Sequence, residues 1–85
     1  MNIKVERLYR LEGEGPIKAF IDITIDETIL IKGLRIVAGK QGLFVAMPRE
    51  QGKDGKWYNT VVLLNEEIKK AVSDIVFEAY EGGDK

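Results

Sequence analysis

The aliphatic residues that hold every second position between Ile17 and Ile25 constrain the fold more than any other feature of this 85-residue chain. The apolar positions are Ile17, Ala19, Ile21, Ile23 and Ile25. A period of two places these side chains on one face of a β-strand, so the segment predicts a half-buried strand. A weaker alternation predicts an earlier strand. Its apolar face would carry Ile3, Val5, Tyr9 and Leu11, although Arg7 falls on that face and Leu8 on the other.

The segment that follows predicts an antiparallel hairpin, with a tight turn at Asp26 and Glu27 and a third strand over residues 28–37. Aliphatic residues fall on both faces of this strand, which indicates a central place in the sheet or a second face covered by a helix. Gly33 predicts a bulge or a bend. Simple alternation puts Arg35 on the face of Ile31. There we expect a rim or dimer contact paired with a carboxylate rather than a ligand site.

The apolar run from Gly42 to Pro48 predicts a fully buried strand that fixes where a polar loop, residues 49–56, leaves the sheet. Substitution of Phe44 or Met47 should therefore reduce stability before it reduces binding. A last strand is predicted over residues 57–62. Adjacent strand residues face opposite sides, so we expect Trp57 in the core and Tyr58 exposed.

Asn65 predicts a helix N-cap, and Glu66 and Glu67 place negative charge in the first turn. Apolar residues at spacings of three and four then form one stripe, and Gly82-Gly83 predicts the helix end. The stripe consists of Ile68, Ala71, Val72, Ile75, Val76 and Ala79. The predicted fold is α+β: a single domain over residues 1–85, with an antiparallel sheet of four to five strands and one C-terminal helix.

A domain of this size has a thin core, and a small sheet with open edges favours pairing with a second copy, so we expect a homodimer through the sheet. The absence of Cys and of a long apolar run indicates a cytoplasmic protein outside the membrane. Net charge is −1, yet residues 28–60 hold six basic and two acidic side chains. The middle of the chain is therefore basic, whereas residues 61–85 are acidic.

Two groups of residues are candidates for nucleic-acid contact. Lys69 and Lys70 lie at the start of the helix, where backbone N–H groups also favour phosphate, although a solvated helix face would look the same. The second group is a basic loop beside exposed aromatics, which could equally be an ordinary polar loop. Its members are Arg49, Lys53, Lys56 and Tyr58.

Catalysis, metal binding and cofactor binding are not expected. The acidic residues Asp22, Asp26, Glu27 and Asp54 have no spacing that forces two of them together, and no His or Cys completes a site. The glycines form no phosphate-binding loop, because no Gly-Lys-Ser/Thr sequence precedes a helix.

In this order of elements, the run Gly-Leu-Phe-Val-Ala-Met-Pro at residues 42–48, with Asp54-Gly55 and Asn65, resembles the SpoVG family of bacterial regulators. The resemblance covers nearly the whole chain. It implies a dimeric α+β domain that binds DNA, and in some members RNA, and influences sporulation and septation. It also implies nucleic-acid contacts at the start of the helix, which correspond to Lys69 and the adjacent Lys70. The family typically has Arg at the first of these positions, so a protein–protein interaction module is the alternative.

Overall fold

The computed structural model describes residues 1–82 and confirms the α+β class, with one C-terminal helix. Four strands form an antiparallel meander in the order β1-β2-β3-β4, and β5 and β6 pair with each other in a separate two-stranded sheet. The elements are β1 Ile3–Arg10, β2 Ile17–Ile25, β3 Ile29–Gly39, β4 Gly42–Ala46, β5 Arg49–Gln51, β6 Trp57–Asn59 and α1 Glu66–Gly82.

The hydrophobic core lies between one face of the four-stranded sheet and α1. Its fully buried large side chains are Ile21, Ile23, Leu34, Ile36, Val72 and Val76. The opposite side of the sheet, which carries Tyr9, Phe20 and Phe44, is called the open face below. The alternation in β2 therefore predicted the core correctly.

A bulge in β1 changes which residues reach the core. The pairing of β1 with β2 shifts after Val5, so that Leu8 lies opposite the buried Ile21. Tyr9 then points to the open face and is 58% exposed. The prediction that Tyr9 shares the apolar face was wrong, because one extra residue exchanges the two faces of all that follows.

The bulge predicted at Gly33 is confirmed, with φ at +90°. The Asp22 carboxylate accepts a hydrogen bond from the Gly33 N–H at 3.1 Å. Across the bulge, both Ile31 and Leu34 lie opposite buried residues of β2. Arg35 is thereby turned to the open face, and its predicted placement with Ile31 was wrong. The bulge also explains why aliphatic residues were expected on both faces of β3. Ile31 before the bulge and Leu34 after it both point to the same core.

The strand from Gly42 is an edge strand, so the prediction that it is fully buried was wrong. It pairs with β3 through the turn at Lys40 and Gln41, and no second strand of residues 1–82 pairs with its free side. Phe44 is 49% exposed on the open face, where its ring lies over Gly39.

Two connections match their predictions. Asp26 and Glu27 both adopt left-handed φ values, 53° and 54°, as expected of a two-residue hairpin turn. At the start of α1, the Asn65 side chain accepts a hydrogen bond from the Ile68 N–H at 2.8 Å, which confirms the N-cap. The helix extends through Gly82; the second glycine of its predicted end, Gly83, lies outside the described residues.

Residues 49–56 were predicted to form one polar loop, but only residues 52–56 connect two strands. The first three residues of the segment form β5 and pair with β6, and residues after Asn59 belong to no strand. Trp57 is 55% exposed, so its predicted place in the core was wrong, whereas the exposure of Tyr58 is confirmed. The reason is that this small hairpin pairs with itself and not with the main sheet.

Candidate nucleic-acid interface

A groove of about 530 Å³ runs between the β4 edge, the segment after β6 and the first turns of α1. Three of its lining residues are cationic: Arg35, Arg49 and Lys69. No Asp or Glu is among the residues that line it. This basic groove, defined by the three cationic residues, therefore concentrates positive charge among its lining residues.

Arg35 is half-buried at the floor of the basic groove. Its guanidinium donates a hydrogen bond to the Met47 carbonyl at 3.0 Å. Burial, and secondly the charge of Arg49, lower the pKa of Arg35, although an arginine this far above neutrality stays charged. No carboxylate of residues 1–82 pairs with Arg35, so the pairing expected at a rim is absent within these residues, and the pairing expected at a dimer contact stays a prediction. An anion placed here would relieve the repulsion between the two arginines.

Arg49 is positioned by the small hairpin. It lies opposite Asn59, and its guanidinium carbon is 5.6 Å from the centroid of the Trp57 ring. Because side chains alternate along a strand, these three residues share one face of the hairpin, and Arg49 and Asn59 line the groove. A guanidinium stacked on an aromatic ring keeps its N–H groups free for a phosphate.

Lys69 reaches the groove from the first turns of α1. Its ammonium lies 3.3 Å from the Glu66 carboxylate, and both side chains are exposed, so the pair is weak and competes little with a ligand. The adjacent Lys70 does not line the groove. It pairs with Asp74 at 2.8 Å, and this hydrogen bond and the attraction between the charges raise the pKa of Lys70.

The remaining predicted residues lie at the turn of the small hairpin. Lys53 and Lys56 are exposed there, and the Tyr58 hydroxyl donates a hydrogen bond to Asp54 at 2.6 Å. This bond, and the Lys56 N–H bonded to the same carboxylate, hold the pKa of Asp54 below its ordinary 3.8. The pKa of Tyr58 is raised above 10.0 by its bond to Asp54. The turn is thus braced with Asp54 ionised and Tyr58 protonated, from mildly acidic to mildly alkaline pH.

The structure divides the six candidate residues among three places. Arg49 and Lys69 meet at the groove, Lys70 lies on the helix outside it, and the others occupy the hairpin turn. Sequence reasoning did not select Arg35 as a binding residue. The sequence signal that could have identified Arg35 is its place two residues after a glycine within a strand. A bulge at such a glycine moves the residues that follow it to the other face of the sheet.

Two further findings concern the described part of the chain. No three acidic side chains of residues 1–82 gather closely enough to hold a metal ion. Over the same residues, no helix has the length and apolarity needed to cross a bilayer.

A sequence model of the SpoVG family matches residues 1–82 of this chain. The chain belongs to the SpoVG family. The family resemblance carried by residues 42–48 is thereby confirmed. The match covers both sheets and the helix, so the basic groove is built entirely within the family domain.

Named relatives agree with this SpoVG assignment, and each is called "Putative septation protein SpoVG". The one from Staphylococcus saprophyticus is 34% identical over 85 residues, which is all of this chain and 84% of that protein. The one from Staphylococcus aureus is 33% identical over 85 residues, again all of this chain and 85% of that protein. The one from Bdellovibrio bacteriovorus is 40% identical over 69 residues, or 81% of this chain and 64% of that protein.

Proposed function

We propose that this SpoVG-family chain is a regulatory protein of the cytoplasm that binds DNA or RNA through the basic groove. The observation that carries the proposal is the meeting of Arg35, Arg49 and Lys69 in a groove that no carboxylate lines. The acidic residues of α1 lower the net charge of the protein, but none of them lines this groove. A phosphate in the groove would therefore meet a locally positive surface.

The chemistry of the groove suits a phosphate backbone. The two arginines can each offer paired N–H donors to phosphate oxygens, and Lys69 adds a point charge at the helix start. Lys53 and Lys56, exposed on the adjoining hairpin, can contact the backbone further along. Contacts to phosphate do not distinguish one base from another. We therefore propose that binding depends weakly on the nucleotide sequence and strongly on the salt concentration. The septation named in the relatives is the process in which we place this regulator.

The groove proposal is tested with a fluorescein-labelled duplex DNA and a single-stranded RNA, by fluorescence anisotropy at several salt concentrations. Arg49→Ala/Lys69→Ala should bind about tenfold more weakly. Its plot of log affinity against log salt should be shallower by about 2, because two phosphate contacts are lost. Lys69→Ala alone should also weaken binding. Lys70→Ala is its matched control: it removes the same charge one residue away, outside the groove, and should change affinity by about twofold or less.

Two outcomes would contradict the groove proposal. Equal losses for Lys69→Ala and Lys70→Ala would show that the helix acts only through its overall charge. Absence of any complex in low salt at about 50 µM protein would reject nucleic-acid binding altogether. In that case the alternative function, a protein–protein interaction module, is preferred. It has its own structural support in the apolar segment after β6, where Leu64 is 91% exposed.

We also propose that the protein is a homodimer in which the Leu43 end of β4, outside the residues that line the basic groove, contacts a second copy. The free side of β4 offers unpaired backbone groups, and Leu43 is exposed on that strand. Light scattering at micromolar concentration should give the mass of two chains, and Leu43→Lys should give one. Leu30→Lys serves as control, since Leu30 is at least as exposed as Leu43 but lies in the part of β3 beyond β4. A wild-type mass of one chain would contradict the dimer.

A further inference from the structure

A second cleft, of about 370 Å³, lies on the open face of the sheet and shares no residue with the basic groove. It is lined by Arg7, Tyr9, Phe20, Asp22, Lys32 and Gly33. The bulge in β1 helps to form this cleft, because it turns Arg7 and Tyr9 away from the core, and Gly33 of the β3 bulge also lines it. All the residues that line this cleft belong to β1, β2 and β3.

Two aromatic side chains form the floor of the cleft. Tyr9 of β1 and Phe20 of β2 lie directly opposite each other in the strand pairing. Opposed residues of neighbouring strands have Cβ atoms about 5 Å apart, so the two rings are neighbours. They are 58% and 39% exposed, respectively. The open face thus presents a pair of adjacent rings to solvent.

The charges around the rings are mainly positive. Arg7 and Lys32 line the cleft, and neither takes part in an ion pair within the described chain. Arg35 lies opposite Phe20 on the third strand. The one acidic residue of the cleft, Asp22, uses a carboxylate oxygen to accept the Gly33 N–H and so supports the bulge. A partner of this surface should therefore be flat, aromatic and negatively charged.

We propose that the open face binds a single-stranded nucleic acid, with unpaired bases stacked on Tyr9 and Phe20 and phosphates beside Arg7 and Lys32. Every base has a π-face, so stacking on protein rings tolerates any sequence. Bases within a duplex are already stacked on each other and are not available. The proposal takes its ligand class from the function proposed above but places the unpaired strand in a neighbouring cleft, whose lining residues differ from those of the basic groove. It gives this protein a preference for single strands that the basic groove alone would not provide.

The first experiment compares an oligouridylate of about 12 nucleotides and the matching oligothymidylate with a duplex of the same length, all by anisotropy. Tyr9→Ala/Phe20→Ala should bind both single strands about tenfold more weakly and the duplex about as well as the wild type. Tyr9→Phe/Phe20→Tyr keeps both rings and should retain binding. Circular dichroism checks the fold of each variant.

The second experiment needs no substitution and therefore does not depend on a variant that folds. Titration of the wild-type protein with the oligouridylate should shift the backbone amide resonances of Tyr9 and Phe20 in nuclear magnetic resonance spectra. Titration with the duplex should instead shift the backbone amide resonances of Arg35, Arg49 and Lys69 in the basic groove.

Three results would overturn the open-face proposal. Unchanged single-strand binding by Tyr9→Ala/Phe20→Ala, with weakened binding by Arg49→Ala/Lys69→Ala, would remove the open-face site and leave the groove function intact. Loss of the dimer in Tyr9→Ala/Phe20→Ala would assign the rings to a contact between copies. Absence of binding by the wild type to every probe would overturn both proposals together.

Discussion

Leu34→Ala is expected to lower the free energy of unfolding by about 3 kcal/mol. Leu34 is fully buried in the core, opposite Ile21 in the pairing of β2 with β3. Its removal takes away apolar contacts and leaves a cavity in a small core that has few ways to close it. Urea denaturation followed by far-ultraviolet circular dichroism measures the loss, with the slope against urea concentration expected to stay unchanged.

The control is Phe44→Ala, which removes a larger side chain but should cost only about 1 kcal/mol. Phe44 is half exposed on the edge strand, so its burial contributes much less. Substitution of Phe44 was expected to reduce stability before binding, because residues 42–48 were predicted to form a buried strand. Since β4 is an edge strand, we now expect a smaller loss of stability. Equal losses for the two variants would mean that Phe44 is covered in solution, as a dimer contact would cover it.

Gly33→Val should cost about 2 kcal/mol of folding free energy, because the backbone at Gly33 has φ at +90°. A Cβ at this position would meet no atom within 4 Å. The loss is therefore one of backbone strain in the bulge and not of steric collision. The same denaturation experiment measures it.

Gly15→Val is the matched comparison for this substitution. A Cβ at Gly15 also meets open space, but the backbone there is not left-handed, so the change should stay within about 0.5 kcal/mol. If Gly33→Val were as mild as Gly15→Val, the bulge would not depend on glycine. The bulge that turns Arg35 to the open face would then be stabilised mainly by the hydrogen bond from the Gly33 N–H to Asp22.

The parts of the fold that sequence predicts here are those set by local rules. The alternation of β2, the turn at Asp26 and Glu27, and the Asn65 cap each depend on a few adjacent residues, and each is confirmed. The face of Tyr9 and the face of Arg35 could not be predicted in the same way. A bulge is a mismatch between two strands, so one strand's sequence does not reveal which face follows it.

Burial of the segment after Gly39 was unpredictable for a related reason. An apolar strand is buried only if both neighbours are present, and the last predicted strand, residues 57–62, does not provide the second one. Instead, Trp57 and Tyr58 pair with β5, which leaves β4 at the edge and both rings exposed. The choice of partner among strands is a property of the assembled sheet and not of either segment alone.

The basic groove was half visible in the sequence. Residue type and position select Lys69, as a cation at a helix start, and Arg49, as a cation beside aromatics. The sequence could not show that these two lie together, nor that Arg35 joins them, because the three residues belong to separate elements. Only the packing of α1 and the small hairpin around the β4 edge brings them to one place.

The meander order of the main sheet also has a consequence for how the chain folds. Every strand of that sheet pairs with its neighbour in sequence, so each pairing closes a short loop at low entropic cost. The exception is α1, which packs against β1 at the opposite end of the chain, where Arg10 hydrogen-bonds the Tyr80 carbonyl. We therefore expect the hairpins of the main sheet to form first and the docking of α1 on the first strand to follow as one long-range step.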